Sequence, residues 1–489
     1  MKTGLFYCLL GLAAFLFLSL FSYYTSPFTT CDDGYDSAFF VLVGKGMTKG
    51  YLPYRDFFDM KGPVFFWIEY LGQRLCYGRW GIFLLQWMNL LIALVLACRI
   101  FALFRLSGKG LQALLLLPIL SIASFTFQGG NLTEEFSLVP LFSCLYIGLR
   151  YFALRAEQIS PRKSFLWLSG GWYGLSFGIL LLIRVTNVAL ICAIMLTVVI
   201  SFLRDGKGTE LMICSCAFLL GLAGAVLPFF LYYASKGLLP DMLEAVFVLG
   251  FRYVSSKSFP EHIQEVIFNN RNTRLLLVLI PCFLVFYLRW KTWRERLLML
   301  FGAVFTFLAI ASGDHYTHYY ALSLPLLVIC EAAIAEQFQK KASRRSIAAL
   351  CLASVMLVSH LPSVGSRMIV VYSHFFNPEA YTERQIALDI ASRIPEEDRD
   401  SVFGYNIDPF WYTYTELFPC IKYCGWQNSY ISLMPQIYGD LKTVFRERPP
   451  KCLILPKDRG QLPDFLEEAV EEAYLLQYEN EKYSLYGFA

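Results

Sequence analysis

The chain has 489 residues, of which 56% are hydrophobic, 17% aromatic and only 16% charged. A soluble domain carries nearer a quarter charged residues, so an ordinary soluble protein is excluded. The net charge of +4 is small, and the cations lie between hydrophobic blocks without forming a patch, which excludes a nucleic-acid partner.

The apolar residues fall into blocks at approximately 4–24, 80–104, 111–128, 134–153, 165–183, 186–203, 211–233, 275–290, 297–312, 319–335 and 346–361. Each block has the length of a helix crossing a hydrocarbon core of roughly 30 Å. This predicts a polytopic α-helical membrane protein with about eleven transmembrane helices. The first block is read as a retained helix, because Thr25-Ser26-Pro27-Phe28 follows it and no small-residue cleavage site does.

Alternate connections are rich in Lys and Arg: Arg99, Arg105 and Lys109; Arg150, Arg155, Arg162 and Lys163; Arg204 and Lys207; Arg289 to Arg296; Lys340 to Arg345. The short intervening ones, such as Gln128-Gly129-Gly130-Asn131, are nearly free of them. Positive loops stay inside. The expectation is therefore a multi-pass protein of the plasma (inner) membrane with a cytoplasmic N-terminus and an extracytoplasmic C-terminal domain. Two domains are expected: a transmembrane domain at 1–361 and an α/β domain at 362–489. Two long outer loops are expected, at roughly 25–79 and 234–274. Within the first, Gly62 to Ile68 is too short to span and reads as an interfacial helix. After 361, strands are predicted at 401–405, 452–455 and 483–488. Helices are predicted around 386–391 and 465–474.

Of the fourteen cysteines, most lie in apolar segments and act as small hydrophobes. Cys420 and Cys424 are either a disulfide or two free thiols.

Polar residues concentrate on the outer side. The first loop reads Cys31-Asp32-Asp33-Gly34-Tyr35-Asp36-Ser37 and then Gly50-Tyr51-Leu52-Pro53-Tyr54-Arg55-Asp56-Phe57-Phe58-Asp59-Met60-Lys61-Gly62-Pro63. Its acids alternate with aromatics, Gly and Pro, which predicts a loop folded against the membrane rather than a solvated tract. Partly buried carboxylates suit general-base work. Asp32-Asp33-Gly34-Tyr35-Asp36 also fits the DDxxD pattern of isoprenoid synthases, but no second copy accompanies it.

The arrangement from Tyr35 to Pro63 resembles the first outer loop of GT-C-type glycosyltransferases, the family 39-like group that includes protein mannosyltransferase and aminoarabinose transferase relatives. Asn131-Leu132-Thr133-Glu134-Glu135-Phe136 and Ser312-Gly313-Asp314-His315-Tyr316-Thr317-His318-Tyr319-Tyr320 are similar to two further family segments. The resemblance implies a GT-C-like fold. It also implies an inverting transferase that moves a sugar from a polyprenyl-phosphate-linked donor to a hydroxyl on a glycan, lipid or protein acceptor. Membrane lipids are its surroundings. Asp36 is the expected base, with Asp59 as understudy or positioning group. Lys61 and then Arg55 are the phosphate candidates. Asp56, Glu134, His315, His318 and Tyr319 are the remaining substrate contacts. No cofactor is required by this reading, although His315 and His318 with a loop aspartate offer a possible divalent metal site. Arg184, at a helix end, reads as snorkelling to head groups. The competing class is a transporter or flippase of a lipid-linked or glycan substrate. That class calls for repeat symmetry and charges at mid-helix, whereas the ionisable residues here cluster at helix ends and in outer loops.

Overall fold

The computed structural model describes residues 3–29, 34–254, 260–261, 292–312, 316–340, 365, 369, 382–458 and 462–489. Among them, eight helices are long and apolar enough to cross a membrane, beginning at Thr3, Arg79, Lys109, Thr133, Lys163, Val185, Gly208 and Thr317. Helices are the outcome because a segment in hydrocarbon must satisfy its own backbone N–H and C=O groups. The block expected at 297–312 forms the helix Trp293–Ala311, which opens on Arg294, Glu295 and Arg296. The blocks expected at 275–290 and 346–361 lie outside the described residues.

The chain forms two compact units. The first comprises Met1–Ser22, Phe83–Ala234 and Lys257–Ile369; the second comprises Tyr23–Ile82, Ser235–Ser256 and Val370–Ala489. The units interleave along the chain, so the first long loop belongs to the same unit as the C-terminal segment.

The first unit is a helix bundle. Lys163–Leu181 and Gly208–Ser235 approach through small residues. Gly170, Gly174 and Gly178 recur every fourth residue on one helix, and Ala217, Gly221 and Ala225 on the other. A methyl group on Gly174 would fall 1.9 Å from the Phe218 carbonyl oxygen, and one on Gly221 would fall 2.0 Å from that of Gly171. Lipid tails are as apolar as side chains, so close backbone approach is what holds such helices together. At one end of the bundle, Asp205 accepts from Arg294 at 2.6 and 2.7 Å and from Arg155 at 3.0 Å. This ties the ends of Leu138–Ala156, Ala189–Arg204 and Trp293–Ala311.

The second unit contains a four-stranded sheet of β1 (Val402–Gly404), β2 (Cys452–Pro456), β3 (Tyr474–Glu479) and β4 (Tyr483–Phe488), in the order β1-β2-β4-β3. β1 and β2 are parallel, and the other pairs are antiparallel. Cys452 to Leu455 are all buried, as a central strand's apolar run requires. β3 was not foreseen, because as an edge strand it exposes Leu475, Leu476 and Gln477 in succession and shows no alternation. The long loop expected at 25–79 is also more regular than foreseen. It holds two helices, Tyr35–Thr48 and Pro63–Leu75, the second extending well past the predicted Ile68. They cross where Gly44 meets Glu69, leaving 2.9 Å for a methyl group. Cys420 and Cys424 are free thiols.

If glycine contact governs the first unit, Gly174→Ala forces two helices apart at a cost of about 1–3 kcal/mol and lowers the thermal midpoint of the detergent-solubilised protein. Gly224→Ala, with nothing within 4 Å, should leave it unchanged or raised. Equal midpoints for both variants would overturn this account of the packing.

Candidate active site

The sequence-predicted residues assemble into two clusters, one in each unit. In the second unit, Asp36 lies in the first turn of Tyr35–Thr48, where a carboxylate complements the helix dipole. It is half-buried, and among the described residues its carboxylate makes no hydrogen bond or ion pair. One turn on, the Phe40 ring lies 5.3 Å from Lys61 Nζ, and the Trp426 ring lies 5.2 Å from the same atom. Two aromatic faces thus hold the ammonium by cation–π attraction. Asp59 Oδ1 stands 3.5 Å from Nζ and accepts from the Tyr430 hydroxyl at 2.8 Å and from the Met60 N–H at 2.6 Å. Asp59 is completely buried, and its Oδ2 has no hydrogen-bond partner among the described residues.

The loop geometry that presents Lys61 is built locally. Tyr54 adopts a left-handed φ of 71°, and its hydroxyl donates to the Lys61 carbonyl at 2.8 Å. Asp56 Oδ2 accepts from the Leu52 N–H at 2.6 Å and from Arg55 at 2.7 Å. Arg55 and Asp56, both expected to touch substrate, therefore satisfy one another and close the turn.

The C-terminal segment completes this cluster, and sequence reasoning missed it. The Trp426 N–H donates to the Tyr35 hydroxyl at 3.0 Å, and its ring packs on Tyr35 and Phe39. Trp426 takes a left-handed φ of 51°. Burial, and then the Asp59 carboxylate, hold the Tyr430 phenol far above its ordinary range, so it remains a donor. The one available signal was the density of aromatics between Tyr423 and Tyr430.

In the first unit, Glu134 pairs with Arg184 at 2.7 Å and accepts from the Thr133 hydroxyl at 2.9 Å. The Arg184 guanidinium lies 4.1 Å from the centre of the Tyr319 ring. His318 Nδ1 stands 2.7 Å from Gln128 Oε1, and its Nε2 is 4.0 Å from Glu134 Oε2. Glu134, His318 and Tyr319 are thus brought together around Arg184. The expectation that Arg184 snorkels fails, because a carboxylate inside the bundle claims it. Glu135 has a separate role, accepting from Gln86 Nε2 at 2.9 Å and from the Asn131 N–H at 2.9 Å. Four successive residues, Gln128 to Asn131, have positive φ. Gly129 and Gly130 make that turn possible, and a methyl group on Gly130 would sit 1.8 Å from Ser22 Oγ. His315 lies outside the described residues, as do Asp32, Asp33 and Asp314. Among the described residues no group of three His, Cys, Asp or Glu is placed to hold a metal ion.

The chain matches crystal structures of ArnT from Cupriavidus metallidurans. Bound to undecaprenyl phosphate, ArnT superposes with a TM-score of 0.64 at 14% identity, covering 99% of this chain and 98% of that one. In the apo state the TM-score is 0.58 at 13% identity, with the same coverage. This chain has the GT-C fold. No family model matches it, and no curated protein sequence matches it. The shared layout spans helices and C-terminal sheet alike, so the ArnT fold accommodates a sequence that differs at most positions.

Removing Arg184 alone leaves Glu134 as an unpaired buried charge, which costs roughly 3–5 kcal/mol. Arg184→Ala should therefore unfold at a markedly lower temperature than wild type. The pair Arg184→Gln with Glu134→Gln should recover much of the loss. A double variant as unstable as the sum of its single changes would show that the two side chains do not depend on each other.

Proposed function

We propose that this protein transfers a sugar from a polyprenyl-phosphate donor to an acceptor hydroxyl at the outer face of the membrane, inverting the anomeric carbon. The observation that carries the reading is the Lys61 ammonium, held between Phe40 and Trp426 in the same compact unit as Asp36. The fold adds support, since the ArnT structure that shares it holds undecaprenyl phosphate.

The chemistry follows from charge. As the acceptor oxygen bonds to the anomeric carbon, the bond from that carbon to the phosphate oxygen breaks. Negative charge then grows on the departing polyprenyl phosphate. Lys61 meets that charge, the kind of preorganised stabilisation that contributes most to catalysis. Asp36 takes the acceptor's proton, its carboxylate lone pairs being uncommitted among the described residues. Asp59 and Tyr430 fix the position of the Lys61 ammonium. In the first unit, Glu134, His318 and Tyr319 hold the Arg184 side chain in place.

Asp36→Asn keeps the shape of the side chain but not its basicity, so turnover should fall ~10²–10⁴-fold in a transfer assay with a panel of polyprenyl-phosphate sugars, while donor still binds. Lys61→Ala should weaken donor binding by about tenfold or more, since a charge-assisted contact contributes roughly 1.5–3 kcal/mol. Normal turnover by Asp36→Asn, or unchanged donor affinity in a folded Lys61→Ala protein, would remove the corresponding role.

Orientation is tested separately with a membrane-impermeant thiol reagent on intact cells. A cysteine introduced at Asp464 should label, and one at Arg344 should be protected. The reverse pattern would place the Lys61 cluster on the wrong side for an outer-face reaction.

A further inference from the structure

The sheet of the second unit ends differently on its two sides. On one side Val402 of β1 also bridges to Pro419, and its carbonyl accepts from the Cys420 N–H at 3.0 Å. On the other, β3 has no further strand beside it among the described residues. The Ala473 carbonyl accepts from the Ala489 N–H at 2.9 Å. Bonded and unbonded positions alternate along an antiparallel pair, so the backbone N–H and C=O groups of Tyr474 and Leu476 turn away from β4. Such a row of outward groups is a template for one more strand. The side chains there are apolar and open: Leu475 is 66% exposed and Leu476 is 53% exposed, and Phe488, opposite Tyr474 on β4, is 46% exposed. The register with β4 shifts after Leu476, which limits the regular edge to the stretch before it.

The charge around this edge is one-sided. Counting every residue, described or not, Val370–Ala489 carries 19 Asp and Glu against 11 Lys and Arg. From Asp464 to Glu481 there are seven carboxylates and no Lys or Arg. Glu479 is answered by Lys457. Asp464, Glu467, Glu468, Glu471 and Glu472 lie on the helix Asp464–Ala473, which runs directly into β3. All five are exposed and make no ion pair among the described residues. The helix Gln436–Glu447 packs against this one through Phe445 and Phe465. It carries Lys442, and Arg446, which bonds to Glu447; Arg448 follows it. Were Lys442, Arg448 and the undescribed Arg459 each to meet one of the five acids, two would remain, besides the exposed Glu481.

A second copy would bring the same carboxylates against these, and a bilayer surface offers neutral or anionic head groups. We propose that β3 docks an extended peptide segment of a partner protein, rich in Lys or Arg, as a fifth strand of the sheet. Main-chain hydrogen bonds supply affinity in this mode of recognition, and the flanking acids select cationic sequences. Leu475 and Leu476 point to opposite faces of the sheet, so the added strand meets an apolar side chain on either face. The inference stands independently of the transferase reading.

The test titrates purified full-length protein into a fluorescein-labelled octapeptide of alternating Lys and Val, read by anisotropy, in detergent and again in phosphatidylcholine nanodiscs. A peptide of alternating Lys and Pro has the same charge but cannot pair as a strand, and one of alternating Glu and Val reverses the charge. The Lys and Val peptide should bind in both media, more weakly as salt rises. The Lys and Pro peptide should bind about tenfold or more weakly, and the acidic one should not bind. Leu476→Lys, at an exposed position, sets a cation against the incoming strand. It should weaken binding about tenfold or more with the thermal midpoint unchanged. Glu467→Gln, Glu468→Gln, Glu471→Gln and Glu472→Gln together should weaken binding and flatten its salt dependence. A Lys and Pro peptide that binds equally well, or a Leu476→Lys protein that binds like wild type, would overturn the proposal, because charge alone would then hold the peptide. Absence of binding in either medium also overturns it, and binding lost only in nanodiscs gives the edge to lipid. A wild-type dimer that Leu476→Lys dissociates gives the edge to a second copy and overturns it as well.

Discussion

A charge taken out of water must be answered by another charge or by hydrogen bonds, and this requirement organises the whole protein. In the bundle, Glu134 is paired with Arg184, Glu135 is gripped by Gln86 and the Asn131 N–H, and Asp205 binds two arginines. Arg184, Gln86 and the two arginines on Asp205 come from stretches of chain distant from the acids they answer, so each of these pairs fixes one helix against another. The left-handed turn from Gln128 to Asn131 serves the same end, because it presents Gln128 to His318 and a backbone N–H to Glu135. Around these polar points the bundle is held by dispersion and close backbone contact, as at Gly174 and Gly221.

The second unit solves the same problem at Asp59. Its carboxylate is fully buried, and it is answered by Lys61, the Tyr430 hydroxyl and a backbone N–H. Tyr430 and Trp426 belong to the C-terminal segment, far from Lys61 in sequence. The sheet of β1 to β4 gives that segment a rigid base, and the segment in turn supplies one of the two rings over the lysine. The loop that carries the proposed chemistry thus owes its shape to residues added after the last helix of the chain's membrane portion. This explains why an α/β unit accompanies the helices: it orients a cation that a loop alone would leave mobile in water.

The Tyr35–Thr48 helix is the element common to both features of this unit. One face carries Asp36 and Phe40 toward the Lys61 cluster, and the adjoining face, through Ser37, Val41 and Lys45, lines a cavity of the same unit. Phe39, Phe40, Leu42 and Val43 anchor it in the core.

The sequence by itself determined the class of protein and much of its layout. Long apolar blocks have few alternatives to membrane helices; among the described residues eight of those expected are long and apolar enough to span, and a ninth forms the helix Trp293–Ala311. Strands β1, β2 and β4 were legible for a similar reason, since buried runs such as Cys452 to Leu455 are continuous and apolar. The acid-rich loop with Asp36, Asp59 and Lys61 was legible through local motif. Tertiary structure alone decided the rest. The Tyr35–Thr48 helix carries hydrophobic residues on more than one face because it is packed on several sides, so no period announced it. Arg184 looked like a helix-end cation until Glu134 was placed beside it. Trp426 and Tyr430 looked like two aromatics among many. Pairing across hundreds of residues leaves no trace in local composition, because it is the fold that chooses which distant side chain answers a buried charge.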